Sequence, residues 1–320
     1  MRDILFIKTS SLGDVIHHMP ALTEARRRLP QAHFAWVVEE DFAPLVALHE
    51  GVEVIPVAGR RWRRGLLHSA TYSEMQAFVR TLRRRRWDVV IDTQGLMFKS
   101  ALIARLAHGV RHGYDAHSIK ERLASLAYDV HHQVDRGLHA IARNRTLTGL
   151  ALGYVPEGPV DYGLDRARVA PPAARPYAIL LHASARAEKL WPERSWIALG
   201  KILAARGADL VLPWGNETER ARGERIVSVL TGAHVPERMT LDRMTRLIAG
   251  ASFVVGVDTG LVHLAAALGV PLAAIFVASE PGLTGPMGPG PIAIAGGKGA
   301  APSVEEVANV VATVARLKQT

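Results

Sequence analysis

The chain has 320 residues, 48% of them apolar and 22% charged, an ordinary globular composition that excludes disorder and fibrous repeats. It has no cysteine, which excludes a disulfide framework, a thiolate metal site and a cysteine nucleophile. Lys and Arg outnumber Asp and Glu by 39 to 30, and the window 60–122 accounts for the whole excess of +9; such a charge predicts an anionic partner.

The apolar run Ile4-Leu5-Phe6-Ile7 predicts a short buried strand, followed by a Ser-Ser-Leu-Gly turn and a helix from about Asp14 to Arg28. Phe34–Val38, Val52–Ile55 and Val89–Ile91 repeat the strand signal, with helical stretches between them. Short apolar runs alternating with helices point to a parallel sheet covered on both faces. From Tyr154 to Pro176 the alternation stops among Pro156, Pro159, Pro171, Pro172 and Pro176, which reads as a linker. It restarts with Tyr177–Leu181, Asp209–Leu212, Phe253–Val257 and Leu272–Phe276. After a Gly/Pro-rich loop over 281–299, Ser303 and Glu306 predict a capping box for a last helix.

The fold class is therefore α/β, with two Rossmann-like doubly wound domains. The expected division is 1–160, a linker 161–176, a second domain 177–302, and a C-terminal helix 303–320. Packing of that helix back on the first domain is kept as an alternative. Asp3 and Lys8 interrupt anything like a signal-peptide core, and no run reaches the ~18 apolar residues that span a bilayer. The expectation is a soluble, cytoplasmic protein.

In open α/β sheets ligands lie beyond the carboxyl ends of strands, so the turns there are where chemistry is sought. The first turn, Lys8 to Asp14, has neither the G-x-G-x-x-G nor the G-x-x-x-x-G-K-[ST] spacing, which disfavours a Rossmann oxidoreductase and a P-loop NTPase. Asp14 is either a helix-capping acid or a carboxylate that takes a proton from a hydroxyl nucleophile, in a loop shaped by Ser10 and Gly13. In the second domain, Lys189 before a helix is either solvated or a phosphate holder, with Ser184 able to join it. Glu217 is either a first-turn acid or a partner for a ribose diol. Asp258, Thr259 and Gly260 end a strand and open an Ala-rich helix whose N-terminus can approach a diphosphate. Asp258 as a cap and His263 as a core histidine are the alternatives. Taken together these residues outline one nucleotide-diphosphate pocket.

Several segments resemble one family at its spacing: Ser10 to His17, Lys189-Leu190-Trp191-Pro192, Pro213 to Glu217 and Asp258 to His263. With Trp36 to Glu40 and Ile91 to Leu96, the resemblance covers nearly the whole chain. The family is the lipopolysaccharide heptosyltransferases, glycosyltransferase family 9. The resemblance implies a GT-B fold with the active site in the interdomain cleft, acceptor on the first domain and nucleotide sugar on the second. It implies transfer of L-glycero-D-manno-heptose from ADP-heptose to the Kdo of Kdo2-lipid A, with no cofactor and no metal. A second-heptose transferase or a Kdo transferase is the alternative of the same fold.

The resemblance also assigns roles. Asp14 becomes the general base, Lys189 holds the diphosphate, Glu217 meets the ribose and Met239 lies near the adenine. Asp258 binds heptose hydroxyls, while Thr259, Gly260 and His263 line the phosphate and sugar pocket. One departure is Ala185, where the family often has a hydroxyl after the Ser184 position; a lost hydrogen bond there is worth about 1 kcal/mol of donor affinity.

The residues agree with such chemistry. Glycosyl transfer builds oxocarbenium character at the anomeric carbon and negative charge on the departing diphosphate, which a lysine and a helix N-terminus can stabilise. There is no D-x-D carboxylate pair, and one base without a second carboxylate nucleophile favours single displacement with inversion. Arg60, Arg61, Arg63 and Arg64, with Lys99, are expected at the acceptor site, facing lipid A and Kdo at the anionic inner face of the cytoplasmic membrane. A peripheral monomer is expected. A nucleic-acid-binding protein is the alternative of a different class, motivated by the arginine runs but lacking an RNP, helix-turn-helix or zinc signature.

Overall fold

A computed structural model describes residues 2–65, 68–170 and 176–315. The chain divides into two compact units, Met1–Gly163 and Leu164–Thr320.

The first unit holds β1 (Asp3–Ile7), α1 (Leu12–Arg28), β2 (His33–Glu39), α2 (Ala43–Val46), β3 (Val52–Val57), α3 (Gly59–Arg64) and α4 (Ser69–Arg83). It continues with β4 (Trp87–Asp92), α5 (Leu102–Leu106), β5 (Gly109–Tyr114), β6 (Val130–His132) and α6 (Ala140–Leu152). The six strands are parallel in the order β3-β2-β1-β4-β5-β6. Phe6 lies opposite Trp36 on one side and Ile91 on the other. Ile4 to Ile7 are fully buried, which is why β1 reads as an unbroken apolar run instead of an alternating one. The Trp36 indole keeps its polar end satisfied by donating to the Lys8 carbonyl at 3.0 Å.

The second unit holds α7 (Arg166–Val169), β7 (Tyr177–Leu181), α8 (Glu193–Ala205), β8 (Asp209–Val211), α9 (Glu217–Val227), β9 (Ala233–His234) and α10 (Leu241–Gly250). After these come β10 (Phe253–Val257), α11 (Gly260–Ala267), β11 (Leu272–Phe276), α12 (Pro281–Thr284), β12 (Ile292–Gly296) and α13 (Val304–Ala315). Its parallel order is β12-β11-β10-β7-β8-β9. Counted from the first strand of each unit, both sheets read 3-2-1-4-5-6. The order therefore reverses between β1 and β4 in one unit and between β7 and β10 in the other, the position where doubly wound folds bind ligands. Gly256 makes the second junction possible. A Cβ there would lie 2.6 Å from Val262 Cγ1 and 2.9 Å from Leu181 Cβ.

Three expectations change. The 281–299 stretch contains α12 and the edge strand β12, a short apolar run, Ile292-Ala293-Ile294-Ala295, set among glycines and prolines, in which Ala295 alone is buried. The expected linker 161–176 divides between the units: Tyr162 is buried, and α7 is pinned by Arg166 donating to the carbonyls of Ala249 and Ala251 at 2.8 Å each. Pro171 and Pro172 lie outside the described residues, as do 316–320. The last helix buries Val307, Val311 and Val314 in the second unit's own core, against β11 and α8. Its capping box is half made. The Glu306 amide donates to Ser303 Oγ at 3.1 Å, but the Glu306 carboxylate turns away to accept from Gly296 N.

Candidate functional site

In the first unit the loops after β1 and β4 lie side by side and are tied together by buried polar groups. Gln94 Oε1 accepts from Thr9 N at 2.6 Å, Thr9 Oγ1 at 2.9 Å and Ser10 N at 3.3 Å. Lys8 is buried and donates from Nζ to the Thr93 carbonyl at 3.0 Å. Burial lowers its pKa, with the carboxylates of Asp14 and Asp92 pulling the other way. Asp92 sits beneath: Oδ1 accepts from Gln94 N and Gly95 N, and Oδ2 from the Tyr128 hydroxyl at 2.7 Å. Burial pushes its pKa up against those bonds. Gly95 completes the turn at φ +68°, a conformation that favours glycine.

That scaffold carries Ser10, Gly13 and Asp14. Asp14 is the third residue of α1 and accepts from the Ser11 amide and the Ser11 hydroxyl, both at 2.9 Å. The capping reading is therefore correct, and it does not compete with the base reading. Both bonds fall on Oδ2, the side chain is exposed, and Oδ1 has no partner among the described residues.

A cavity of about 330 Å³ opens beside the same loop, lined by Thr9, Ser10, Glu39, Arg60, Arg63, Lys99 and an apolar wall including Trp62, Phe78 and Phe98. The Glu39 carboxylate accepts from Arg60 N at 2.7 Å, and its pKa is raised by burial. Arg60, Arg63 and Lys99 thus come together as expected. Arg61 does not: it turns away to Glu40 at 3.0 Å and Glu74 at 2.7 Å, and Trp62 Nε1 donates to the same Glu74. Arg64 is exposed and outside the cavity wall. The other arginine run is also engaged locally, with Arg84 on Glu53 and Arg85 on Asp3.

In the second unit the loops after β7, β10 and β11 converge on Asp258. Its Oδ2 takes a short bond from Lys189 Nζ at 2.6 Å and another from Ser279 Oγ, while His263 Nε2 lies 3.8 Å from Oδ1. Ser184 Oγ donates to the Asp258 carbonyl at 3.3 Å. Burial alone would raise the Asp258 pKa. The nearby His263 imidazole and the bonds from Lys189 and Ser279 outweigh that and hold it well below the usual carboxylate range. Thr259 is the N-cap of α11; Val262 N turns back to the Thr259 carbonyl at 3.1 Å, while the backbone N–H groups of Gly260 and Leu261 have no intrahelical acceptor among the described residues. Lys189 still has two ammonium protons after serving Asp258. A carboxylate acceptor, an ammonium and free backbone N–H groups therefore stand together, a set able to meet hydroxyls and an anion.

Glu217 and Met239 are not bonded to that cluster. Glu217 is exposed at the start of α9, with Arg220 3.5 Å away, and Met239 is half-buried in the loop before α10. Glu219, which the sequence reading passed over, instead ties the preceding loop, accepting from Gly215 N at 2.7 Å and Asn216 Nδ2 at 2.9 Å. Behind Ser184, His182 is fully buried with both ring nitrogens unpartnered among the described residues. Burial, with Arg222 nearby, pushes its pKa down to about 4. Among the described residues, no group of three or more His, Cys, Asp or Glu is placed to hold a metal ion. A larger hollow of about 540 Å³ lies at Tyr177 and Asp209, the amino ends of β7 and β8. That end of a doubly wound sheet does not bind ligands.

Sequence reasoning also passed over Lys8, Gln94, Tyr128 and Ser279. Ser279 follows β11 and was reachable by the strand-end rule. Lys8 and Gln94 act through partners about 85 residues away.

Comparison with known proteins agrees with this geometry. The profile of glycosyltransferase family 9 (heptosyltransferase) matches residues 75–311. Lipopolysaccharide heptosyltransferase 1 of Escherichia coli strain K12 is 43% identical over 289 residues, 89% of this chain and 91% of that one. Lipopolysaccharide heptosyltransferase 2 of the same strain matches over only 105 residues, at 32% identity and 31% of this chain. The solved structure of E. coli heptosyltransferase WaaC with ADP superposes with a TM-score of 0.87 at 40% identity, covering 97% of this chain and 98% of that one. The same protein with ADP-2-deoxy-2-fluoro heptose gives a TM-score of 0.83 at the same identity and coverage. The fold is of the GT-B type.

Proposed function

The chain belongs to glycosyltransferase family 9, the heptosyltransferases, and we propose that it moves L-glycero-D-manno-heptose from ADP-heptose to the Kdo of Kdo2-lipid A in lipopolysaccharide inner-core synthesis. The observation that carries this reading is the Lys189–Asp258–Ser279 array beside the start of α11. In the proposed donor complex, Lys189 and the α11 backbone N–H groups take the diphosphate, and Asp258 accepts from heptose hydroxyls. Ser184, Thr259, Gly260 and His263 line that pocket, with Glu217 at the ribose and Met239 near the adenine. As the glycosidic bond to ADP breaks, charge builds on the diphosphate, where the preset donors stabilise it.

Asp14 Oδ1 takes the proton of the attacking Kdo hydroxyl. With one base and a positioned leaving group, the reading is single displacement with inversion. Arg60, Arg63 and Lys99 meet the acceptor's phosphates and carboxylates, for which guanidinium forks are suited. The acceptor is lipid-anchored, so the reading puts a monomeric enzyme peripherally at the cytoplasmic face of the inner membrane. No described helix is long and apolar enough to cross a membrane.

The test is to supply purified protein with ADP-heptose and either Kdo2-lipid A or its mono-heptosylated form. Turnover of the first alone is expected. Turnover of the second alone makes the protein a second-heptose transferase, and oligonucleotide binding with no response to ADP returns it to the nucleic-acid class.

A further inference from the structure

The first unit leaves four large apolar side chains in water on adjoining short helices. Phe98 is 89% exposed, Leu126 73%, Leu123 65% and Leu102 54%. Phe98 lies in a π-type turn, Met97–Ala101, that runs into α5, so Phe98 and Leu102 share one side of the continuous helix. Leu123 and Leu126 lie in a 3₁₀ helix, Arg122–Ala127, whose three-residue turn stacks positions i and i+3. The two pieces adjoin: Phe98, Leu102 and Leu126 line one shallow groove together with Arg105. A lone exposed leucine needs no explanation, but a contiguous apolar group does.

The surroundings of the patch are basic. Lys99, Arg105, Lys120 and Arg122 are all exposed. Two acids lie near them and both are engaged: Glu121 accepts from Met97 N at 2.7 Å, and Asp129, near Arg105, pairs with Arg111. The patch is also continuous with the cavity assigned to the acceptor, because Phe98, Lys99 and Leu102 line both.

We propose that this face docks onto an anionic phospholipid surface, with Phe98, Leu102, Leu123 and Leu126 entering the boundary between headgroups and acyl chains. Lys99, Arg105, Lys120 and Arg122 then meet lipid phosphates. The proposal rests on the reading that the acceptor is lipid-anchored, and it names the surface that brings the acceptor cavity to the lipid. Charge decides the partner: a second copy seated on this face in a two-fold dimer sets cations against cations, whereas an anionic bilayer neutralises them. Apolar insertion and basic attraction together give stable attachment where either alone is weak.

The experiment mixes the full chain with phosphatidylcholine vesicles that contain or lack phosphatidylglycerol, with no donor or acceptor present, and measures the fraction bound by flotation. Wild type is expected on the phosphatidylglycerol vesicles, less so as salt rises. The pair Leu123→Ser and Leu126→Ser is expected to bind about tenfold less or worse. The pair Lys120→Gln and Arg122→Gln is expected to lose the preference for anionic lipid. None of these four residues lines the acceptor cavity, so turnover of a de-acylated, water-soluble Kdo acceptor stays at the wild-type rate and certifies the fold. A wild type that ignores the anionic vesicles, or a leucine pair that binds them as well as wild type, overturns the proposal. So does a wild-type dimer that the leucine pair dissociates without any vesicle binding. Absence of turnover on the soluble acceptor by wild type counts against the heptosyltransferase reading instead, since vesicle binding is read without substrates.

Discussion

At the strand-order reversal of each unit a carboxylate follows a central strand, and the two are held in opposite ways. Asp258 is buried, and Lys189, Ser279 and His263 surround it so that it stays ionised despite the burial. Asp14 is exposed and, among the described residues, accepts only from Ser11, with Oδ1 unpartnered. A carboxylate with a strongly depressed pKa is a poor proton acceptor but a durable hydrogen-bond acceptor. On the proposed function, the same topology puts a ligand at each reversal, and the surrounding donors decide whether the carboxylate there binds or reacts.

Removing the cation of the buried pair should have the largest effect. Lys189→Met leaves Asp258 without its ammonium, and breaking such a pair costs about 3 kcal/mol or more of stability. ADP affinity should also fall roughly ten- to hundredfold, because phosphate loses a charge-assisted donor. Thermal melts and calorimetric titration with ADP check both, and unchanged ADP binding removes Lys189 from the diphosphate site.

The second prediction concerns a feature the two regions share, a buried neutral histidine. His18 lies beneath the first loop, 3.2 Å from Thr93 Oγ1, and His182 lies beneath the second. The folded pKa of His182, about 4 against an ordinary 6.5, means that the unfolded chain takes up the proton first on acidification. Its contribution is intact above pH 6.5 and is lost as pH falls from 6.5 towards 4, by roughly 2–3 kcal/mol. His182→Phe should flatten that part of the profile of melting temperature against pH. A variant with the wild-type slope contradicts the assignment.

Gln94→Leu should act more weakly and on one side only. It removes the acceptor shared by Thr9 and Ser10 and loosens the base loop, lowering kcat about tenfold while leaving ADP-heptose affinity alone. A loss of donor affinity of the same size would break the division between the regions. The smallest effect belongs to the arginines. Arg60→Gln with Arg63→Gln should raise the acceptor KM about threefold at low salt and less at physiological salt, where charges are screened over about 8 Å. Arg61→Gln should leave KM unchanged, because Arg61 already serves Glu40 and Glu74.

Much of this was legible in the sequence, and the exceptions share a physical cause. The central strands announced themselves because burial on both faces demands an unbroken apolar run. β5 and the edge strand β6 did not, since their exposed and half-exposed positions admit Arg111, His112, His131 and His132. Asp14, Lys189 and Asp258 stood out because each follows a strand at a turn into a helix. The bond joining Lys189 to Asp258 spans 69 residues, and the Gln94 clamp on Thr9 spans 85. Pairings at such separations are set by strand order, which local pattern does not reveal. Four arginines in five residues read as one cluster, yet the helix α3 turns Arg61 away from Arg60 and Arg63.

The division between a reacting and a binding carboxylate is tested most directly by measuring single-turnover rate and ADP-heptose affinity side by side for Asp14→Asn and Asp258→Asn. Asn at 14 can still accept from Ser11 but cannot take a proton. The account predicts that Asp14→Asn loses about 10²–10⁴ in rate with wild-type donor affinity, and that Asp258→Asn weakens ADP-heptose more than ADP. Near-normal turnover by Asp14→Asn, or equal loss of donor affinity in both variants, would contradict it.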